Sequence, residues 1–300
     1  MNPPKGWYPD PNRAGWVRYW NGHAWTRHAA RPVAPSGLPV AASPSLTVRP
    51  EPGPGFPAVS SSSTVRPKPG PGLPGLVIAV VGFGGGVALS LAILFALGWA
   101  GNPGGLAVRL GVSEIALWAG MLLPVIYVSR RRGAGSLSAD FGLSVRPVDI
   151  GVGILGAVAA RSAAILAAIP LLPVYQELAR QPQVGVSPNT ITGATWIVLG
   201  IVTCIGAPII EELFFRGLIQ TRLVGLLGAG WGIAVTSVVF GAAHLIGWQS
   251  PASLLAAAII AASGTVLGFL RYRTGRLGTS MIAHSVFNGM AFAILLAAYR

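Results

Sequence analysis

Seven residues in the last third of the chain have types and spacings that can do chemistry: Glu211, Glu212, Arg216, Phe240, His244, His284 and Asn288. Each lies inside a long apolar run, and ionisable groups at membrane depth are costly enough to be functional candidates by default. Helical spacing sorts them. Glu212 and Arg216 are four apart with the acid first, the better order for an intrahelical ion pair. Glu211 is rotated by about 100° from Glu212 on a helix, so it lacks that partner and points elsewhere. Phe240 and His244 are four apart, which lets the ring pack on the imidazole and orient it. His284 and Asn288, again four apart, offer two polar groups to a common point. With helix edges near Thr221, Ala229 and Gly278, Glu211 and Asn288 fall about 15 Å deep, His284 about 9 Å and His244 about 22 Å. That spread is compatible with one cluster.

A carboxylate and an imidazole flanking a water molecule can deprotonate it. A second His and an Asn can donate to the oxyanion formed when that water attacks a carbonyl. The set therefore reads as amide hydrolysis by activated water, with no covalent intermediate and no cofactor. Glu212 and Arg216 read as a brace for Glu211. A divalent metal is the rival, with Glu211, His244 and His284 as its candidate ligands, although no His-Glu-x-x-His pattern is present. A nucleophilic route finds no Ser or Cys beside a base. Cys204, the one cysteine, lies two helical turns before Glu211 and reads as a small packing residue. Two other readings use the same residues: a non-catalytic immunity or scaffold protein, and a transporter in which Glu211 and His244 relay protons.

Composition says what positions these groups. Of 300 residues, 52% are hydrophobic and 10% charged, far below the roughly 25% of a soluble domain. The net charge of +13 would suit a nucleic-acid binder, but the basic residues cluster between apolar runs, which is the topology pattern of a membrane protein. No nucleic-acid partner is expected, a lone cysteine excludes a disulfide framework, and the start of the chain is not a signal peptide. Seven apolar runs follow, at roughly 76–99, 112–129, 148–173, 194–226, 229–249, 252–271 and 278–299, each long enough to span a bilayer. They predict an all-α bundle of about seven, seven to eight, transmembrane helices. Arg130, Arg131, Arg132, Arg146, Arg222, Arg271, Arg273 and Arg276 all fall on one side under alternating crossings. That side is the cytoplasm, with the N-terminus inside. Pro208 should kink the fourth run or free a carbonyl just before the carboxylates. Gly151, Gly153 and Gly156 suit close helix packing.

Three domains are expected. Residues 1–30 carry Trp7, Trp16, Trp20 and Trp25 around an Asn21-Gly22 hairpin signal, so they form a small aromatic β-hairpin-like module. Residues 31–75 are a Pro-, Gly- and Ser-rich linker, expected to be disordered, in which Thr47–Gly55 recurs as Thr64–Gly72 with one change, Glu51 to Lys68. Residues 76–300 are the membrane domain.

The ordered set Glu211-Glu212-x-x-x-Arg216, Phe240-x-x-x-His244 and His284-x-x-x-Asn288 resembles the three motifs of the CAAX prenyl protease and bacteriocin-processing family of intramembrane glutamic endopeptidases. The resemblance covers about residues 76–300. It implies a helical bundle with a cavity, in which Glu211 and His244 activate water and His284 and Asn288 stabilise the oxyanion. Glu212, Arg216 and Phe240 would support them. It implies a metalloprotease-like enzyme of the cell membrane acting on peptides or membrane proteins among lipids. The first 30 residues resemble a Trp-rich domain of unknown function found in actinobacterial membrane proteins, which implies docking to a protein partner.

Overall fold

A computed structural model describes residues 6–11, 13, 16–21, 23–30, 72–103, 105–173, 193–245 and 252–298. The linker expected over 31–75 lies outside these residues up to position 71. The chain divides into two units, Met1–Ser62 and Ser63–Arg300.

In the first unit, β1 (Gly6–Pro9), β2 (Val17–Trp20) and β3 (Trp25–Ala30) form one antiparallel sheet in the order β1-β2-β3. The expected hairpin is β2–β3, and β1 adds a third strand. Asn21 makes its turn, its side-chain oxygen accepting from the His23 and Ala24 amides at 2.9 and 2.7 Å. Trp7 pairs with Tyr19 across β1 and β2, their rings 5.6 Å apart, while Trp20 meets Trp25 at 5.3 Å. Trp7 and Trp25 remain exposed, so the rings stabilise the sheet pairwise rather than closing a single core.

The second unit is a bundle of α1 (Gly72–Trp99), α2 (Gly105–Arg132), the short α3 (Leu137–Phe141), α4 (Pro147–Ala168), α5 (Gly193–Ile201), α6 (Ala207–Glu211), α7 (Gln220–Ala243), α8 (Ala252–Thr274) and α9 (Leu277–Ala298). The segments Val202–Gly206 and Glu212–Ile219 wind as π-helix, so α5 and α6 run on into the start of α7 without a break. Among the described residues six helices are long and apolar enough to cross a membrane. One of them, Gly193–Ala243, has 51 residues and would be about 75 Å long if straight, twice the need. It is not straight. Gly228 sits at φ 79°, ψ 170°, and a Cβ on Gly232 would fall 2.6 Å from the Val224 Cα. The chain turns back there, between the fourth and fifth predicted runs. This is a multi-pass membrane protein.

The core lies around the π-helical segment Glu212–Ile219, all eight of whose residues are buried. Phe214 and Phe215 pack on each other and on Phe83 of α1, in line with a packing role. Gly153 and Gly156 of α4 let Ile282, Leu270 and Ala283 approach closely, whereas Gly151 faces open space. At one end of the bundle the loops are stitched together. Arg271 donates to the Phe141 carbonyl at 2.9 Å, Leu277 N–H to Gly142 O at 2.8 Å, and Arg276 pairs with Asp149, which Thr279 also contacts. Arg271 of α8 and Arg276 of the α8–α9 turn thus share one end of the bundle.

The α1–α2 contact is a tight small-residue crossing. A Cβ on Gly120 would lie 2.5 Å from the Gly86 Cα and 2.6 Å from the Gly82 carbonyl oxygen. Backbone cannot yield as a flexible side chain can, so Gly120→Ala forces the helices apart. We expect it to destabilise the protein by about 1–3 kcal/mol, read as a lower unfolding midpoint in detergent, with Ala at the open position Gly151 as the neutral control.

Candidate active site

The local winding explains how the carboxylates are presented. Ala207 N–H bonds the Val202 carbonyl, a π register. The next bond in that register would run from residue 208 to the Thr203 carbonyl, and Pro208 has no N–H to give. Thr203 O is left to another donor, and Asn288 Nδ2 reaches it at 2.8 Å. Pro208 therefore frees a carbonyl, one of the two outcomes expected of it, without a sharp kink: the residues around it keep right-handed helical angles. Because a carbonyl only accepts, this bond also fixes which end of the Asn288 amide is nitrogen. Pro208→Ala restores a competing N–H. Loss of one positioning hydrogen bond, worth about 0.5–1.5 kcal/mol, should lower kcat roughly twofold to tenfold with KM little changed, as initial rates on a cleaved peptide would show.

Glu212 and Arg216 form the predicted pair, Nη1 to Oε1 at 3.2 Å, with both side chains fully buried. Arg216 also donates to the Gly264 carbonyl at 3.2 Å and lies 4.0 Å over the Phe240 ring. The sequence reading aims this pair at Glu211; the pair also reaches His284, whose Nδ1 is 3.1 Å from the same Oε1 of Glu212. His284 Nε2 then faces Glu211, 3.8 Å from its Oε2. Phe240 is a hub, touching Arg216, His244 at 5.0 Å and His284 at 5.7 Å between ring centres.

His244 stands at the C-terminal cap of α7 with its Nδ1 2.9 Å from the Phe240 carbonyl oxygen. The carbonyl accepts, so Nδ1 carries a proton, and Nε2 is the ring nitrogen left for a water.

Glu211, His244, His284 and Asn288 all line one cavity of about 330 Å³. Its polar lining also includes Glu114 of α2, which the three motifs do not contain and sequence reasoning missed. The available signal was a lone acid near the start of an apolar run. A second cavity of about 350 Å³, walled by α1 and α2, shares Glu114, Glu211 and His244 with the first. Cys204 is half-buried and lines neither. Among the described residues no three His, Cys, Asp or Glu side chains converge in a way that could hold a metal ion.

Residues 193–290 match the family model described as type II CAAX prenyl endopeptidase Rce1-like. This segment is Rce1-like. It runs from α5 into α9 and contains all seven residues singled out by type and spacing, so the resemblance read from the three motifs holds. Helices α1 to α4, with Glu114, lie outside the Rce1-like match. Residues 6–37 match a model for a protein of unknown function, DUF2510, in agreement with the Trp-rich resemblance. No curated protein and no solved structure matches the chain. The Rce1-like family is one of proteases, which supports peptidase activity here.

Proposed function

We propose that this protein is an intramembrane endopeptidase in which Glu211 and His244 activate a water molecule for attack on a peptide bond, while His284 and Asn288 stabilise the oxyanion. The observation that carries this reading is the meeting of four polar side chains, from three separate helical segments, in one cavity inside an apolar bundle. Glu211 takes a proton from water. His244, which lines the same cavity, holds the same water or relays its proton through Nε2. Water oxygen bonds to the carbonyl carbon, and the carbonyl electrons move onto oxygen beside His284 and Asn288. Glu212, held by Arg216, orients His284. The C–N bond then breaks, and nitrogen leaves with the proton that Glu211 had taken.

The step so written uses no cofactor. Were a metal bound, Glu211, His244 and His284 would be its ligands, but these side chains do not converge on one point, and no step is routed through it. The substrate class is a peptide or membrane protein reaching the site from the lipid. The N-terminus and the arginine-rich end are assigned to the cytoplasm, and the Trp-rich sheet to docking an unidentified protein partner. Membrane peptides compared between cells carrying the wild type and the Glu211→Gln variant test the activity. Substrates should accumulate uncut in the variant; identical peptide profiles would sink the protease reading.

A further inference from the structure

We propose that Glu114 is the group that holds the nitrogen side of the scissile bond, a further catalytic residue supplied by α2. The inference rests on the hydrolase reading above. Glu114 is half-buried inside a membrane helix, yet among the described residues it makes no hydrogen bond or ion pair. A carboxylate kept in such a place without a cation from its own chain invites a donor from outside.

Its location says which donor. The groups of α9, His284 and Asn288, line only the first cavity, whereas Glu114 stands where that cavity joins the second, which α1 and α2 wall. Glu211 and His244, which hold the attacking water, lie at the same junction. A trans peptide is planar, with its C=O and N–H pointing in opposite directions. With the carbonyl oxygen turned to α9, the N–H points away from α9 and toward α2. The Ser113 hydroxyl there donates to the Leu110 carbonyl at 3.1 Å, and Ser90 of α1 also lines the second cavity. Glu114 is the carboxylate that α2 brings to that side, and a carboxylate is the stronger acceptor for an N–H.

The chemistry balances with no added reactant. Glu114 accepts a hydrogen bond from the scissile N–H and keeps it as the carbon becomes tetrahedral. When the C–N bond breaks, its electron pair stays on nitrogen, which receives the proton from Glu211. The carboxylate of Glu114 stabilises the positive charge that gathers on nitrogen in that step.

An ester in place of the scissile amide separates this role from a structural one, because an ester has no N–H and its leaving oxygen needs less help. A fluorogenic peptide built from a sequence that accumulates in Glu211→Gln membranes, and its depsipeptide twin with oxygen replacing the scissile N–H, are compared on the full-length protein in liposomes. Glu114→Gln should lower kcat/KM on the peptide by about 100-fold and on the ester by less than about threefold. Glu114→Asp keeps the charge but withdraws it by one methylene, and should move the same ratio in the same direction; it stands in if the Gln variant does not fold. Equal losses on both substrates, or no loss on the peptide, overturn the assignment. A wild-type protein that cleaves neither substrate overturns the protease reading instead.

Discussion

Glu211→Gln should lower kcat on a cleaved peptide by about 10²–10⁴-fold while leaving the fold intact. The substitution keeps shape and removes the group that accepts the water proton. Stability should hardly change, because Glu211 carries no structural burden: its ion-pair contact, to His284, is long at 3.8 Å, and its side chain is 16% exposed. KM should stay within a few-fold, since the group acts on water more than on the ground-state peptide. Parallel rate and unfolding measurements decide the matter. A variant that retains a tenth of the activity removes Glu211 from the role of base, and a variant that unfolds early makes it a structural residue.

Arg216→Met should do the reverse and cost the protein about 3–5 kcal/mol of stability. The guanidinium is fully buried, pairs with Glu212, lies on Phe240 and bonds the Gly264 carbonyl. Removing it strands a carboxylate that has no water to turn to. The double variant Arg216→Met with Glu212→Leu should regain much of the loss, because a buried pair replaced by apolar groups is often neutral. Activity should not return with it: His284 would keep its ring but lose the acceptor for its Nδ1. Unfolding midpoints of wild type, single and double variants form the test. If the single variant unfolds within about 1 kcal/mol of wild type, the buried pair is not what holds the core.

Much of this architecture can be read from the chain. Apolar runs of bilayer length mark the spans, and the break between the fourth and fifth falls on Gly228, where the chain turns. Four-residue spacings anticipate the Glu212–Arg216 and Phe240–His244 contacts because both pairs are local, and local pairs depend only on the winding between them. What spacing cannot supply is who meets whom between helices. That Glu212 serves His284, 72 residues away, follows from how α9 packs against the central segment. Glu114 belongs to no motif, and its place beside Glu211 is set by α2 packing. The π-helical winding is equally silent in a pattern search built on 3.6 residues per turn.

That winding limits how the site can be moved. Each π turn takes up roughly one residue more than an α turn, which swings everything beyond it by about 100° around the axis. A designer who copies Glu211, Glu212, Arg216, His244, His284 and Asn288 onto straight helices at the same sequence intervals would reproduce the lettering and lose the phase. The Asn288 amide would also find no vacant carbonyl, since that vacancy comes from Pro208 and the register before it. The portable unit is thus the stretch from Val202 to Ile219, backbone included, and a transplant succeeds or fails on its winding before any side chain is considered.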